Sequence, residues 1–208
     1  MSVFNLSCII CAYNEAPRIA DVLSVATAHW LLHEVIVVDD GSTDGTADIV
    51  RSFPSVRLIS YPENRGKSQA FAEGLRVAKN DYVMYLDADL KHLTLENITE
   101  LADPILSGCS DLSISIRRNS LIIYRWIGLD FVSGERVIPK RIVAERLSEI
   151  DRLPPFGIEA FMNERIIKER LRIAVVRLEN VIIPAKWRRW AAGEECWRTG
   201  RRRAIYLR

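Results

Sequence analysis

Short apolar runs alternate with longer segments of helical periodicity along the first half of the chain. Four to eight apolar residues between polar ones is the length of a buried strand rather than of a helix. Such runs predict strands at 6–11, 35–38, 56–60 and 82–86. The segments between them predict helices at 15–28, 46–53 and 69–78. Strands and helices that alternate across short polar joints predict an α/β domain with a mainly parallel sheet.

The second half is less regular. Alternating Leu, Ile and Ser predict a half-buried strand at 111–116. Helices are predicted at 94–106, 121–132, 140–147 and 158–168, with a polar break at 133–136. Two short strands are predicted at 173–178 and 181–183. We expect Thr43 or Asp44 to cap the helix that begins at Thr46.

Polar clusters follow each of the four strands predicted in the first half. The clusters are Tyr13-Asn14-Glu15, Asp39-Asp40, Asn64-Arg65-Gly66-Lys67 and Asp87-Ala88-Asp89. In open parallel sheets, ligands bind beyond the carboxyl ends of the strands. An inert sheet needs only turn residues there, so four clusters on one edge predict a ligand site.

Asp87 and Asp89 indicate what kind of ligand this is. Residues i and i+2 of an extended chain point to the same side, so both carboxylates can face one hard cation. An isolated Asp-x-Asp pair is also typical of a solvated strand end, and the other clusters favour the metal site. Arg65 and Lys67 add positive charge, which suits a phosphate-bearing ligand bridged by a metal ion. The glycine patterns of P-loops and dinucleotide folds are absent from the sequence.

Composition is that of an ordinary globular protein. The 208 residues are 49% hydrophobic and 27% charged, with a net charge of +2, which suits one sizeable core. The first residues do not resemble a signal peptide, and no run reaches the roughly 18 apolar residues of a bilayer span. We therefore expect a cytoplasmic protein, or one peripheral on the cytoplasmic membrane face. Cys8 and Cys11 have no second pair for a zinc site and predict buried packing.

Residues 185–208 differ in character from the rest. They hold eight basic residues, two acidic residues and three tryptophans, which predicts a basic amphipathic helix. Tryptophan with arginine suits an anionic membrane surface. A helix docked on the core and an RNA-binding tail are the alternatives. The membrane surface is favoured, and nucleic acid is not an expected partner.

The four clusters together resemble motifs of the family 2 glycosyltransferases of GT-A fold. Residues 9–15 resemble that family's opening strand and loop, 37–44 its second motif, 64–67 its third and 87–89 its metal motif. Cys11 stands where the family often has Pro. The resemblance implies a mainly parallel twisted sheet with flanking helices and a Rossmann-like nucleotide-binding half. It also implies inverting sugar transfer from a nucleotide-diphosphate sugar, assisted by Mg²⁺ or Mn²⁺.

The resemblance assigns donor and metal residues by position. The implied nucleotide-sugar-binding residues are Ala12, Tyr13, Asn14, Glu15, Asp40, Lys67, Asp87 and Ala88. Asp87 and Asp89 are the implied metal ligands, with Asp89 the main one. The implied domain covers 1–184, with a donor half at 1–118 and an acceptor half at 119–184, followed by the tail at 185–208.

The second half resembles, more loosely, members of that family that use polyprenyl phosphate or phosphoglycerate as acceptors, the dolichyl-phosphate mannose synthase type among them. Ser133-Gly134-Glu135-Arg136 resembles their acceptor loop, which implies that Ser133, Gly134 and Arg136 contact the acceptor. A hydroxyl acceptor needs a base, for which Glu159 is the first candidate and Glu135 the second. An ionised phosphate acceptor needs none, and Arg136 would position it instead.

A catalytically idle module that binds nucleotide sugar or a membrane surface is the alternative function. The intact Asp87-x-Asp89 pair and Lys67 favour the enzyme, because an idle copy has no need of them. The base, the sugar and the acceptor are left open, as is the oligomeric state.

Overall fold

One sheet organises the part of the chain that the computed structural model describes, which is residues 4–154 and 157–184. Its strands are β1 (Leu6–Ala12), β2 (Leu32–Asp39), β3 (Val56–Ser60), β4 (Tyr82–Asp87), β5 (Leu112–Arg117), β6 (Arg136–Pro139) and β7 (Ile173–Leu178). Their order across the sheet is β3-β2-β1-β4-β6-β5-β7. The predicted tail at 185–208 lies outside the described residues.

Helices cover both faces of this sheet. They are α1 (Ile19–Ala28), α2 (Thr46–Arg51), α3 (Lys67–Val77), α4 (Leu95–Leu106), α5 (Ile122–Ile127), α6 (Arg141–Ala144), α7 (Leu147–Ile150) and α8 (Ile158–Lys168). Successive residues of a strand point to opposite faces. Cys8 and Ile10 of β1 accordingly join the core with α1 and α4, while Ile9 packs with α3 and α8 on the other side. Burial on both faces explains why the central strands are continuous apolar runs.

The sheet is mainly parallel, as predicted, with one antiparallel strand. β3, β2, β1 and β4 run parallel, and so do β5 and β7. β6 pairs antiparallel with both β4 and β5. This strand was not predicted, because it has four residues and begins with a buried arginine. Its insertion brings the loop at 133–135 beside the end of β4.

Several predicted boundaries need correction. The helix expected over 121–132 ends at Ile127, because Gly128 adopts a left-handed conformation with φ 80° at its C-terminus. The helix expected over 140–147 is the two short helices α6 and α7. In place of the strand expected at 181–183 there is a single bridge between Lys91 and Ile182.

Two smaller expectations concern a helix cap and the cysteines. Gly45 occupies the N-cap position of α2, while Asp44 accepts a hydrogen bond from the backbone N–H of Thr46 at 3.1 Å. Cys8 is buried as predicted, and Cys11 is only partly so. Burial raises the pKa of both thiols, that of Cys11 to about 12. Neither thiol is therefore reactive at neutral pH.

Candidate functional site

The loop after β1 is held by the polar residues after β2. The backbone N–H of Asn14 donates to Ser42 Oγ at 2.9 Å, and Asn14 Oδ1 accepts from the N–H of Thr43 at 2.9 Å. The N–H of Glu15 donates to Thr46 Oγ1 at the same distance. Asn14 itself has a left-handed conformation with φ 55°, which asparagine tolerates better than most residues. The polar segment after β2 therefore fixes the shape of the loop that carries Tyr13 and Glu15.

Asp40 holds the loop that leads into α3. It is buried, and its two carboxylate oxygens accept hydrogen bonds from the backbone N–H groups of Arg65 at 2.7 Å and Gly66 at 2.8 Å. Burial raises the pKa of this carboxyl, although the two N–H groups oppose the shift. Asp40 was predicted to contact a nucleotide. Its oxygens are used within the protein, where they position the start of α3.

The residues predicted to surround a nucleotide differ in exposure. Ala12 and Ala88 are buried, whereas Tyr13 is 48% exposed. Glu15 accepts a hydrogen bond from Arg18 Nε at 2.6 Å. Tyr13 therefore presents an exposed ring at this edge, whereas the two alanines are covered by the surrounding chain.

Lys67 joins the ends of three elements. Its Nζ lies 2.9 Å from Asp87 Oδ1 at the end of β4 and 2.7 Å from Glu159 Oε1 in the first turn of α8. Burial alone would lower the pKa of Lys67, but the two carboxylates and Tyr85 hold it well above its ordinary value. Burial alone would raise the pKa of Asp87. The positive charges of Lys67 and Arg117 outweigh this effect, so the pKa of that carboxyl is lowered. The structure thus brings together three residues that the sequence singled out separately.

Arg117 is a central residue that sequence reasoning did not identify. It lies at the end of β5, is 5% exposed, and contacts both carboxylate oxygens of Glu135 at 2.7 and 2.8 Å. It also lies 3.6 Å from Asp87 and 3.7 Å from Asp130. On sequence pattern alone, residues 117–119 fit the end of a strand at the sheet edge and a solvated turn equally well. The available signal was its place at the same sheet edge as Asp87.

Glu135 is fully buried beneath this arginine. Its Oε2 also accepts hydrogen bonds from the hydroxyls of Ser115 and Ser133, both at 2.8 Å. Burial raises the pKa of Glu135, and Arg117 opposes that shift. The half-buried strand predicted here is corrected, since Ser115 and Ser113 of β5 are both buried and hydrogen-bonded.

The predicted acceptor residues are buried as well. Ser133, Gly134 and Arg136 have little or no exposed surface. Arg136 Nε donates to the carbonyl of Ser133 at 3.0 Å, and its NH1 donates to Asn163 Oδ1 at 3.1 Å. Contact of these residues with an acceptor stays a prediction, while the structure shows that Arg136 holds the loop beside Asp87.

Gly134 is required by its closeness to Asp87. A Cβ at this position would lie 2.7 Å from Asp87 Cγ, closer than real Cβ contacts. We expect Gly134→Ala to lower the free energy of unfolding by about 1–3 kcal/mol, because the carboxylate must shift away from Lys67. Urea unfolding of a double-mutant cycle with Asp87→Ala tests this cause. The cost of Gly134→Ala should nearly disappear in the Asp87→Ala background, and an unchanged cost would contradict the steric explanation.

Asp89 is the carboxylate of this edge that lacks a partner. It is 8% exposed, and within residues 4–154 and 157–184 it makes no hydrogen bond or ion pair. Burial, then repulsion from Asp87, Glu15 and Glu135, raises its pKa to about 7, with Arg18 opposing. A buried carboxylate crowded by other acids is suited to a cation.

The donor set fits a cation that is shared with a ligand. Within the described parts of the chain, no three His, Cys, Asp or Glu side chains form a metal cage. Mg²⁺ and similar ions commonly bind through one or two carboxylates, with phosphate and water oxygens completing the coordination. Asp89, with Asp87 beside it, matches that pattern.

The sequence matches a known family and bacterial relatives. The family model for "Glycosyl transferase family 2" matches residues 7–147. The poly-beta-1,6-N-acetyl-D-glucosamine synthase of Staphylococcus epidermidis is 37% identical over 91 residues, which cover 42% of this chain and 22% of that protein. The same-named protein of Staphylococcus aureus strain COL is 36% identical over 89 residues, covering 41% and 22%. The matched segment thus spans about a fifth of the length of these curated relatives.

Solved structures confirm the predicted GT-A fold. Glucosyl-3-phosphoglycerate synthase from Mycobacterium tuberculosis with Mn²⁺, UDP and glucosyl-3-phosphoglycerate superposes with a TM-score of 0.73 at 23% identity, covering 92% of this chain and 76% of that one. The complex with phosphoglyceric acid gives a TM-score of 0.71 at 24% identity, covering 86% and 72%. At this identity the likeness establishes the fold.

Proposed function

Because the chain belongs to glycosyl transferase family 2, we propose that it is an inverting, metal-dependent glycosyltransferase. It transfers a sugar from a nucleotide-diphosphate sugar to polyprenyl phosphate or another small acceptor. The observation that carries this proposal is Asp89, a buried carboxylate without a partner in the described chain, beside the Lys67–Asp87 ion pair. The solved neighbours support the donor class, since their complexes contain Mn²⁺ and UDP or UDP-glucose.

A divalent cation at Asp89 and Asp87 would offset the negative charge that develops on the departing nucleotide diphosphate. The protein side chains prepare this position. Lys67 keeps Asp87 ionised and oriented through the 2.9 Å ion pair, and Arg117 supports the other carboxylate oxygen from 3.6 Å. Tyr13 directly follows β1, and its half-exposed ring would stack on the nucleotide base.

Both candidate bases, Glu159 and Glu135, are engaged in contacts within the protein. These contacts favour an acceptor that does not need to lose a proton. Glu159 Oε1 lies 2.7 Å from Lys67 Nζ, so this carboxylate is already held in an ion pair inside the protein. Glu135 is fully buried and bound by Arg117, Ser115 and Ser133. A phosphate oxygen is already ionised at neutral pH and attacks without losing a proton. This supports a phosphate as the acceptor group, as in polyprenyl phosphate.

Thermal unfolding with UDP-, GDP- and dTDP-sugars, with and without Mn²⁺, tests donor binding. At about 100 times its Kd, the correct donor adds ~2.7 kcal/mol of stability. For a chain of this size we expect Tm to rise by about 5–10 °C. The rise should require Mn²⁺ and disappear with a chelator. Failure of every donor to stabilise the protein would refute the proposal.

Transfer itself is tested by mixing the stabilising donor, Mn²⁺ and a short-chain polyprenyl phosphate in detergent. We expect release of the nucleoside diphosphate and formation of a lipid-linked sugar. Donor binding without release, with phosphoglycerate tried as a second acceptor, would instead support the idle binding module.

A further inference from the structure

Helix α5 presents an apolar surface that the described fold does not cover. None of its six residues is buried, and Ile122 and Trp126 are 82% and 91% exposed. The α5 surface consists of Leu121, Ile122, Ile123, Trp126, Ile127, Phe131 and Val132, all at least 41% exposed. Single exposed apolar residues are normal, whereas a contiguous group of this size marks an interaction site.

The α5 surface is continuous with the proposed active site. Phe131 and Val132 directly precede Ser133, whose hydroxyl binds Glu135. Asp130, which lies 3.7 Å from Arg117, accepts a hydrogen bond from the N–H of Val132 at 3.2 Å. A molecule that covers the α5 surface therefore lies next to the cluster that supports Asp87.

Charge around the α5 surface selects the class of partner. Arg118 is exposed, and Arg125 of α5 lies 3.7 Å from exposed Glu179. Asn119 exchanges hydrogen bonds with the backbone of Ile183 at 2.8 and 3.2 Å, so the described chain ends beside α5. The sequence that follows, 185–208, holds eight basic residues and two acidic ones. The basic tail, or the same arginines of a second copy, would be repelled by Arg118 and Arg125. An anionic lipid surface would be attracted by these two arginines.

We propose that the α5 surface docks on an anionic lipid bilayer and that the phosphate acceptor reaches the site from that bilayer. Isoleucine and tryptophan suit the boundary between headgroups and acyl chains, and the arginines suit anionic headgroups. Within the described residues, no helix has the length and apolar character to cross a membrane. The docking stands by itself, while the route of the acceptor rests on the proposed function.

Sedimentation of the full chain with lipid vesicles tests the docking. We expect binding to vesicles of phosphatidylcholine with phosphatidylglycerol and much weaker binding to phosphatidylcholine alone. The double variant Ile122→Ser/Trp126→Ser should weaken binding at least about tenfold, because two large apolar side chains no longer enter the bilayer. Trp30→Ser/Ile167→Ser is the matched control, since both residues are 72% exposed and lie elsewhere. It should bind as the unaltered chain does.

Three results would overturn the docking. They are no vesicle binding by the unaltered chain, equal binding by both double variants, and self-association that Ile122→Ser/Trp126→Ser abolishes. The last result would assign the α5 surface to a second copy. Thermal stabilisation by donor and Mn²⁺ should be the same in the double variant as in the unaltered chain. A failure of vesicle binding is therefore distinguishable from a failure of the donor site.

Discussion

Asp89→Asn is expected to reduce sugar transfer at least about a thousandfold while the fold is retained. The loss follows because a neutral amide holds a divalent cation poorly, and such a cation contributes several kcal/mol of transition-state stabilisation. The fold should persist because Asp89 makes no hydrogen bond or ion pair within the described chain. Turnover with Mn²⁺ and a chelator-treated control measures the effect. Activity within tenfold of the unaltered enzyme would refute the metal role of Asp89.

The same substitution is expected to make the metal-free protein more heat-stable above neutral pH. The pKa of Asp89 rises from 3.8 to about 7 on folding, so the fold favours the protonated form. Stability from this group is therefore fully present below pH 3.8 and is lost as the pH rises through about 7. Asparagine does not titrate and stays neutral. The variant should have the higher Tm at pH 8 and a clearly smaller advantage at pH 5, because the loss accumulates as the pH rises from 3.8 to about 7.

With Mn²⁺ and donor, the unaltered protein should have a higher Tm at pH 8 than Asp89→Asn. A carboxylate must be deprotonated to bind the ion, so proton and metal compete for Asp89. Mn²⁺ with donor should raise the Tm of the unaltered protein more at pH 8 than at pH 6, and should have little effect on Asp89→Asn. Asp103→Asn, an exposed acid at the far end of α4, is the control and should behave as the unaltered chain. A higher Tm for both variants at pH 8 would indicate a general charge effect.

The first half of the fold follows from local pattern. Apolar runs between polar joints predicted β1 to β4 to within three residues at each end, because strands buried on both faces have no polar positions to obscure them. β6 (Arg136–Pro139) could not be predicted in this way. Its first residue is a buried arginine, which donates hydrogen bonds to Ser133 and to Asn163 of α8. Such a strand depends on contacts between distant segments, and local pattern does not encode these.

The residues of the site also fall into those that local sequence pattern predicted and those that it did not. Lys67, Asp87 and Glu159 were each predicted, and the structure places them in one ion-paired group. Arg117 and Asp130 were missed, because the contacts of Arg117 with Asp87, Glu135 and Asp130 depend on β6 being inserted between β4 and β5. Charged residues are usually exposed to solvent. Only tertiary structure reveals that these are buried.

Arg117→Met is expected to cost about 3–5 kcal/mol of folding free energy. Removing one partner of a buried ion pair leaves the other charge uncompensated. Here Glu135 is fully buried, and Arg117 is the cation in contact with both of its oxygens. Asp87 would also lose support from one side. Urea unfolding followed by circular dichroism measures the loss.

Two further variants test whether the loss of stability comes from an uncompensated buried charge or from the removal of any arginine. Arg172→Met removes an exposed arginine that pairs with Asp111 at 2.9 Å, and should change stability very little because water screens that pair. Arg117→Met/Glu135→Gln removes both charges and keeps the oxygen that accepts from Ser115 and Ser133. If an uncompensated carboxylate is the cause, the double variant should be more stable than Arg117→Met alone. A double variant that is no more stable than Arg117→Met would mean that Arg117 acts mainly through packing, since the loss would then persist without the charge on Glu135.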